Sequence, residues 1–156
     1  MKILAFDQAS KISGWAILND GVYVKSGVID LHLTKDTDTR AAEMGMEICK
    51  LIKKVKPDLV VIENVQNQGS VATVILLARL QGMILGYCHA NNIRAEILAP
   101  SVWRSALSFS QGPKVKREEL KSQAVNYVAE HLGKTDMNVD EIEAVCIGIA
   151  ASKFFK

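Results

Sequence analysis

Four carboxylates stand where an amino-acid sequence gives them chemistry to do. Asp7 ends the apolar run at residues 3–6, and Glu63 ends a second at residues 59–62. Asp140 and Glu143 lie three residues apart in a segment that also holds Ile142, Val145, Cys146, Ile149 and Ala150. A buried carboxylate with no partner costs several kcal/mol. A strand that ends on one therefore implies water, a hydrogen-bond donor or a metal nearby. Spacing of three puts Asp140 and Glu143 on one face of a helix, and their apolar neighbours draw the helix to the core. If the strands ending in Asp7 and Glu63 are parallel neighbours, both acids emerge at the sheet end where open α/β sheets bind ligands. Carboxylates gathered there repel one another at neutral pH, and a hard divalent cation relieves this. Mg²⁺ takes oxygen ligands and keeps positions open for waters and phosphate oxygens. A donor set without His or Cys favours Mg²⁺ or Mn²⁺ over zinc. Two such ions about 4 Å apart stabilise both the attacking and the leaving oxygen in phosphodiester cleavage. Each acid alone has a simpler reading. A strand-end acid often accepts hydrogen bonds from a loop, and Asp140 and Glu141 suit a helix N-terminus through its dipole. The ordered set carries the chemistry, not any one member.

Residues 2–7, 13–19 and 22–31 read as strands, with Asn19-Asp20-Gly21 as the hairpin turn between the last two, which makes an antiparallel meander. Residues 37–55 place Ala41, Met44, Ile48, Leu51, Ile52 and Val55 on one helical stripe that Pro57 stops. Residues 59–63 are uniformly apolar up to the acid, the pattern of a buried strand. Residues 70–91 form a helix that is apolar on nearly every side, 93–98 a fifth strand, and 116–132 a further helix. A last helix runs to about residue 154, with Asn138 as its cap and Glu141 as capping-box partner. Residues 99–115 are expected to be a long irregular loop, which in a compact domain is usually functional. The expected fold is α/β, a five-stranded mixed sheet of three antiparallel then two parallel strands flanked by helices.

The 156 residues suit a single domain, 1–156, with a full core. At 49% hydrophobic and 23% charged, the composition is that of a soluble globular protein. Cys49, Cys88 and Cys146 are odd in number and widely spaced, as expected of buried reduced thiols and not of a disulfide frame or zinc site. No apolar run is expected to reach bilayer length. The chain enters its first strand with no signal-peptide pattern, so a cytoplasmic location is expected. None of His32, His89 and His131 is given a catalytic role. Net charge is only +2, but residues 94–121 hold six basic side chains against three acidic ones. Residues 135–143 hold four acids and no base. Opposed patches suit a metal-dependent enzyme acting on a polyanion; solvated helix faces give the same pattern.

At these residues the sequence resembles the RuvC family of Holliday junction resolvases, within the ribonuclease H-like superfold. "FDQASKISGWAI" is similar to the family's first motif, "LVVIENV" to its second, and "VDEIEAVCIGIA" to its C-terminal helix with two acids three apart. The resemblance implies a homodimer that binds four-way DNA junctions and nicks them with Mg²⁺ or Mn²⁺, two ions per site. It assigns catalytic and metal-binding roles to Asp7, Glu63, Asp140 and Glu143. Ser10 and Ser13 are given no role beyond shaping the first turn. The sequence departs from the family in three places. Asp7-Gln8-Ala9 replaces a common Asp-Pro-Gly, and Glu143 stands where many members carry Asp. Gln66 occupies the position of an aromatic that wedges into the junction, which puts stacking there in doubt. The pattern is more similar to compact phage-borne members than to cellular ones, and a bacterial cell or phage-infected host is the expected setting.

Lys114, Lys116, Arg117 and Lys121 can contact phosphates, or can form a solvated helix start balanced by Glu118 and Glu119. Trp103 and Arg104 read as a packed anchor and its neighbour, with Arg104 and Gln66 added to the DNA-binding set. The 70–91 helix needs cover on more than one side, from its own domain or from a two-fold dimer partner. A structure-selective endonuclease is the leading reading. The alternatives are a branched-DNA-binding protein of the same fold with weak catalysis, and a fragment of an actin- or sugar-kinase-like ATPase. The last lacks the second domain and the Gly-rich phosphate loop that such a fold needs.

Overall fold

The computed structural model describes residues 1–66 and 69–156. β1 (Lys2–Asp7), β2 (Ile12–Asn19) and β3 (Val22–Asp30) form the expected antiparallel meander. Asp20 and Gly21 join β2 to β3 with φ of 49° and 79°, the positive values that a two-residue primed turn requires. After α1 (Thr37–Val55), β4 (Leu59–Glu63) adds parallel to β1, and β5 (Arg94–Leu98) adds parallel to β4. The strand order is β3-β2-β1-β4-β5.

Both faces of the central strands are covered, which explains their unbroken apolar runs. On one face, Leu4, Phe6, Val60 and Ile62 pack with Met44, Ile48 and Ile52 of α1 and with Leu80, Ile84 and Cys88 of α2 (Val71–Ala90). On the other, Ile3, Ala5, Leu59 and Val61 pack with α5 (Val139–Phe154), Trp103 of α3 (Pro100–Ala106), and Ala124 and Val128 of α4 (Arg117–Leu132).

Two registers position the acids. Phe6 lies beside Ile62, so Asp7 and Glu63 follow at the same edge of the sheet. Gly14 of β2 pairs with Asp7, and a Cβ on it would lie 1.8 Å from the Asp140 carbonyl oxygen. The first turn of α5 therefore rests directly on the β2 backbone, one strand from Asp7. Gly14→Ala forces this turn away. The expected cost is about 1–3 kcal/mol of overpacking, read by calorimetry as a melting temperature several degrees lower. An unchanged melting temperature would mean that α5 shifts freely.

Three expectations are corrected. Residues 100–106 are helical, so only part of the 99–115 stretch is irregular; Pro100 occupies the first turn of α3, where its fixed φ and missing N–H fit. The capping box does not form. Asn138 accepts a bond from the Asp140 N–H at 2.9 Å, but Glu141 accepts one from the Ser26 hydroxyl at 2.6 Å and so ties α5 to β3. The 20-residue α2 is long and apolar enough to cross a membrane by length and composition, although it packs Leu76, Leu80, Ile84 and Cys88 into the core and carries Arg79 and Gln81. It is also not covered all round. Val71, Ile75 and Met83 are exposed, and a Cβ on Gly82 or Gly86 would meet nothing within 4 Å among the described residues.

Candidate metal centre and its cleft

Carboxylate oxygens of Asp7, Asp140 and Glu143 all lie within 4.8 Å of one another. Two elements supply them: β1 ends at Asp7, and α5, seated on Gly14 of β2, presents the other two from successive turns. The turn after Asp7 is held by buried Ser13, whose hydroxyl accepts from the Ala9 N–H at 2.9 Å and donates to the Ala9 carbonyl at 2.7 Å. Ser13 thus shapes the turn, as expected.

Glu63 lines the same cleft but stands outside the tight trio. Its Oε1 accepts a hydrogen bond from the Trp103 indole Nε1–H at 2.8 Å. Its backbone carbonyl accepts from Gln8 Nε2 at 2.5 Å and Gln81 Nε2 at 3.1 Å, which joins the first turn, the end of β4 and α2. Sequence reasoning found Trp103 as an anchor but missed its bond to Glu63, and it missed both glutamines. Gln8 sits next to Asp7 in the chain, and a polar side chain following a buried strand was the available signal.

The cleft has a volume of about 630 Å³. Asp7, Glu63, Asp140 and Glu143 share it with Gln66, Arg104, Arg117 and Lys121. Lys114 and Lys116 are exposed on the segment leading into α4 and do not line it. The three histidines are exposed and lie elsewhere. His32 Nδ1 is 2.7 Å from Asp30, and His131 stacks on Tyr127 with ring centroids 3.9 Å apart. The cysteines are free, two of them buried, and burial raises the Cys88 thiol to about 11.

Electrostatics at the site follow from crowding. Burial, then the charges of Glu143 and Glu63, raise the Asp7 carboxyl well above the ordinary range. Burial also raises Glu63, while the Trp103 hydrogen bond and the Arg104 charge pull it down. Asp140 is raised by burial and lowered by Lys121 and Arg117. These groups favour protons, or a cation in their place. The donor set is carboxylate oxygen alone, which fits a hard divalent ion. The three acids of the trio offer it ligands, with Glu63 on the adjoining wall.

Fold and site together define a ribonuclease H-like α/β protein whose carboxylates meet at the edge of parallel strands. The family model described as "Crossover junction endodeoxyribonuclease RuvC" matches residues 3–149, and the chain belongs to that family. Among curated relatives, the crossover junction endodeoxyribonuclease RuvC of Geotalea uraniireducens is 28% identical over 86 residues, covering 53% of this chain and 50% of that protein. The Fusobacterium nucleatum RuvC is 25% identical over 152 residues, covering 94% and 78%. The chain spans between 50% and 65% of the length of the first curated relatives that it matches. A solved structure of Thermus thermophilus RuvC in complex with a Holliday junction substrate superposes with a TM-score of 0.76 at 12% identity, covering 99% of this chain and 94% of that one. The fowlpox virus resolvase, solved with Holliday junction DNA, gives 0.65 at 15% identity over 100% of both chains. At these identities the structural likeness speaks for the fold.

Proposed function

We propose that the protein is a structure-selective endonuclease that nicks four-way DNA junctions, and other branched DNA, by phosphodiester hydrolysis. The observation that carries this reading is one cleft holding both parts of such a site: three carboxylates within 4.8 Å of one another, and Arg104, Arg117 and Lys121 facing them. Asp7, Asp140, Glu143 and Glu63 would hold Mg²⁺, with Mn²⁺ as a substitute, and two ions suit four acids better than one. Bound there, divalent ions supply an activated water and offset charge that develops on the phosphate.

The chain's own residues do the rest. Arg117 and Lys121 lie four residues apart, one helical turn, at the start of α4. With Arg104 they can hold a phosphate against the acids, and Lys114 and Lys116 extend the contact along the strand. Gln66, in place of an aromatic, offers hydrogen bonds and not a stacking wedge. Residues 1–156 would act as one nuclease domain, in the cytoplasm of a bacterial cell or phage-infected host. The exposed apolar residues of α2 support a homodimer through that helix, which would present two sites to a two-fold symmetric junction.

The test is a cleavage panel of four-way, three-way, flap and linear duplex DNA with Mg²⁺ and with EDTA. Paired nicks in the four-way substrate, dependent on Mg²⁺, are the expected result. Binding without cutting would leave a DNA-binding protein of this fold, and ATP hydrolysis in place of cutting would point to the kinase-like reading.

A further inference from the structure

Glu63 is the one acid of the four that stands apart from the trio, so the other carboxylates do not set its orientation. A Glu side chain left to itself has the torsional freedom to turn among several rotamers. What holds it is a buried donor. Trp103 is 1% exposed, and its indole carries a single polar atom that can only donate. That atom bonds Glu63 Oε1 at 2.8 Å.

The ring itself has little room to turn. Phe109 meets it edge-on, with centroids 5.8 Å apart, and the Arg104 guanidinium lies over it, 4.9 Å from a ring centroid. Arg104 also lines the cleft, so one side chain borders both the indole and the cleft. Glu63 is therefore fixed by a rigid donor anchored in the core. One of its oxygens is committed to the indole, and the residue lines the cleft.

We propose that Trp103 is a positioning residue for the metal centre: its indole N–H holds Glu63 Oε1 so that Oε2 is the oxygen presented to a divalent cation. This rests on reading the acids as a cation site. The alternative is that the bond merely satisfies a buried indole and does nothing for ion binding.

Trp103→Phe tests this, because it keeps an aromatic ring against Phe109 and removes the donor, together with part of the buried ring volume. Mn²⁺ binding is measured by calorimetry on wild type and variant, with melting in EDTA as the folding control. Loss of such an outer-shell hydrogen bond typically costs 10–100-fold in metal affinity, and a weakening of about that size is expected while the variant stays folded. Equal Mn²⁺ affinity in the two proteins overturns the positioning role and leaves the cation site standing. Absence of Mn²⁺ binding by the wild type overturns the site, and the positioning role with it.

A second measurement does not depend on the variant folding. In ¹⁵N-labelled wild-type protein, the Trp103 indole N–H resonance should move saturably with Mg²⁺. Trp15, whose ring packs over Gly27 of β3, should stay in place, and Trp15→Phe assigns the two signals. A Trp103 resonance indifferent to saturating Mg²⁺ overturns the proposal.

Discussion

Glu63→Gln is expected to cut four-way junctions roughly 10²–10³-fold more slowly than the wild type in Mg²⁺, the scale on which loss of one preorganised electrostatic group acts, and to bind them no less tightly. The amide has the volume of the carboxylate and keeps an oxygen that can accept the Trp103 N–H, so the buried bond of 2.8 Å need not break. The backbone carbonyl that receives Gln8 and Gln81 is untouched. What goes is one negative charge, and with it the ligand that Glu63 is proposed to offer a cation. Binding is preserved because Arg104, Arg117 and Lys121 remain in the cleft, and a cleft with less negative charge repels phosphate less. Single-turnover cleavage in Mg²⁺, set beside gel-shift binding in EDTA, measures the two effects separately. Cleavage at the wild-type rate would remove Glu63 from the reaction, whatever its hydrogen bonds.

The acids were readable from sequence because their signals are local. A buried parallel strand declares itself by uniform apolarity, and a carboxylate closing such a run stands out against it. Asp140 and Glu143 were readable for a similar reason, as acids one helical turn apart among core residues. The features that were not readable depend on partners distant in the chain. Trp103 donates to a residue 40 positions away, and nothing around "SVWRS" records that distance. Glu141 fits a capping box locally, but Ser26, 115 positions earlier, takes its carboxylate. A tertiary bond from the β3 strand thus replaced the local one. The seven residues of α3 are too few to show a helical period, so only Pro100 marked the start. The composition of α2 says that it is apolar all round, yet the sheet and α1 leave Val71, Ile75 and Met83 exposed. Composition thus left open whether the domain itself or a second copy covers the helix, and among the described residues one face stays exposed.

Asp7→Asn should melt higher than the wild type in EDTA and should lose the stabilisation that Mg²⁺ gives. Burial and the charges of Glu143 and Glu63 raise the Asp7 carboxyl above its unfolded value of 3.8. The folded protein therefore binds this proton more tightly than the unfolded chain does, and the linkage sign follows. Stability from this group is full below 3.8 and is lost as pH rises toward the raised folded value. Without metal the penalty therefore grows as pH rises above 3.8. Asparagine carries no charge at any pH, so the variant escapes the penalty; for a chain of this size each kcal/mol relieved is worth roughly 2–4 °C. Magnesium reverses the order. At a hundred times its dissociation constant a ligand adds about 2.7 kcal/mol to the state it binds, or roughly 5–10 °C here, and the variant lacks the carboxylate that would collect it. Melting curves of both proteins from pH 4 to 8, with EDTA and with Mg²⁺, test each part. The difference between the proteins should grow with pH in EDTA and change sign when magnesium is present. A variant that melts below the wild type in EDTA would mean that Asp7 supports the fold through its own bonds, and that the crowding of acids at this edge costs the protein nothing.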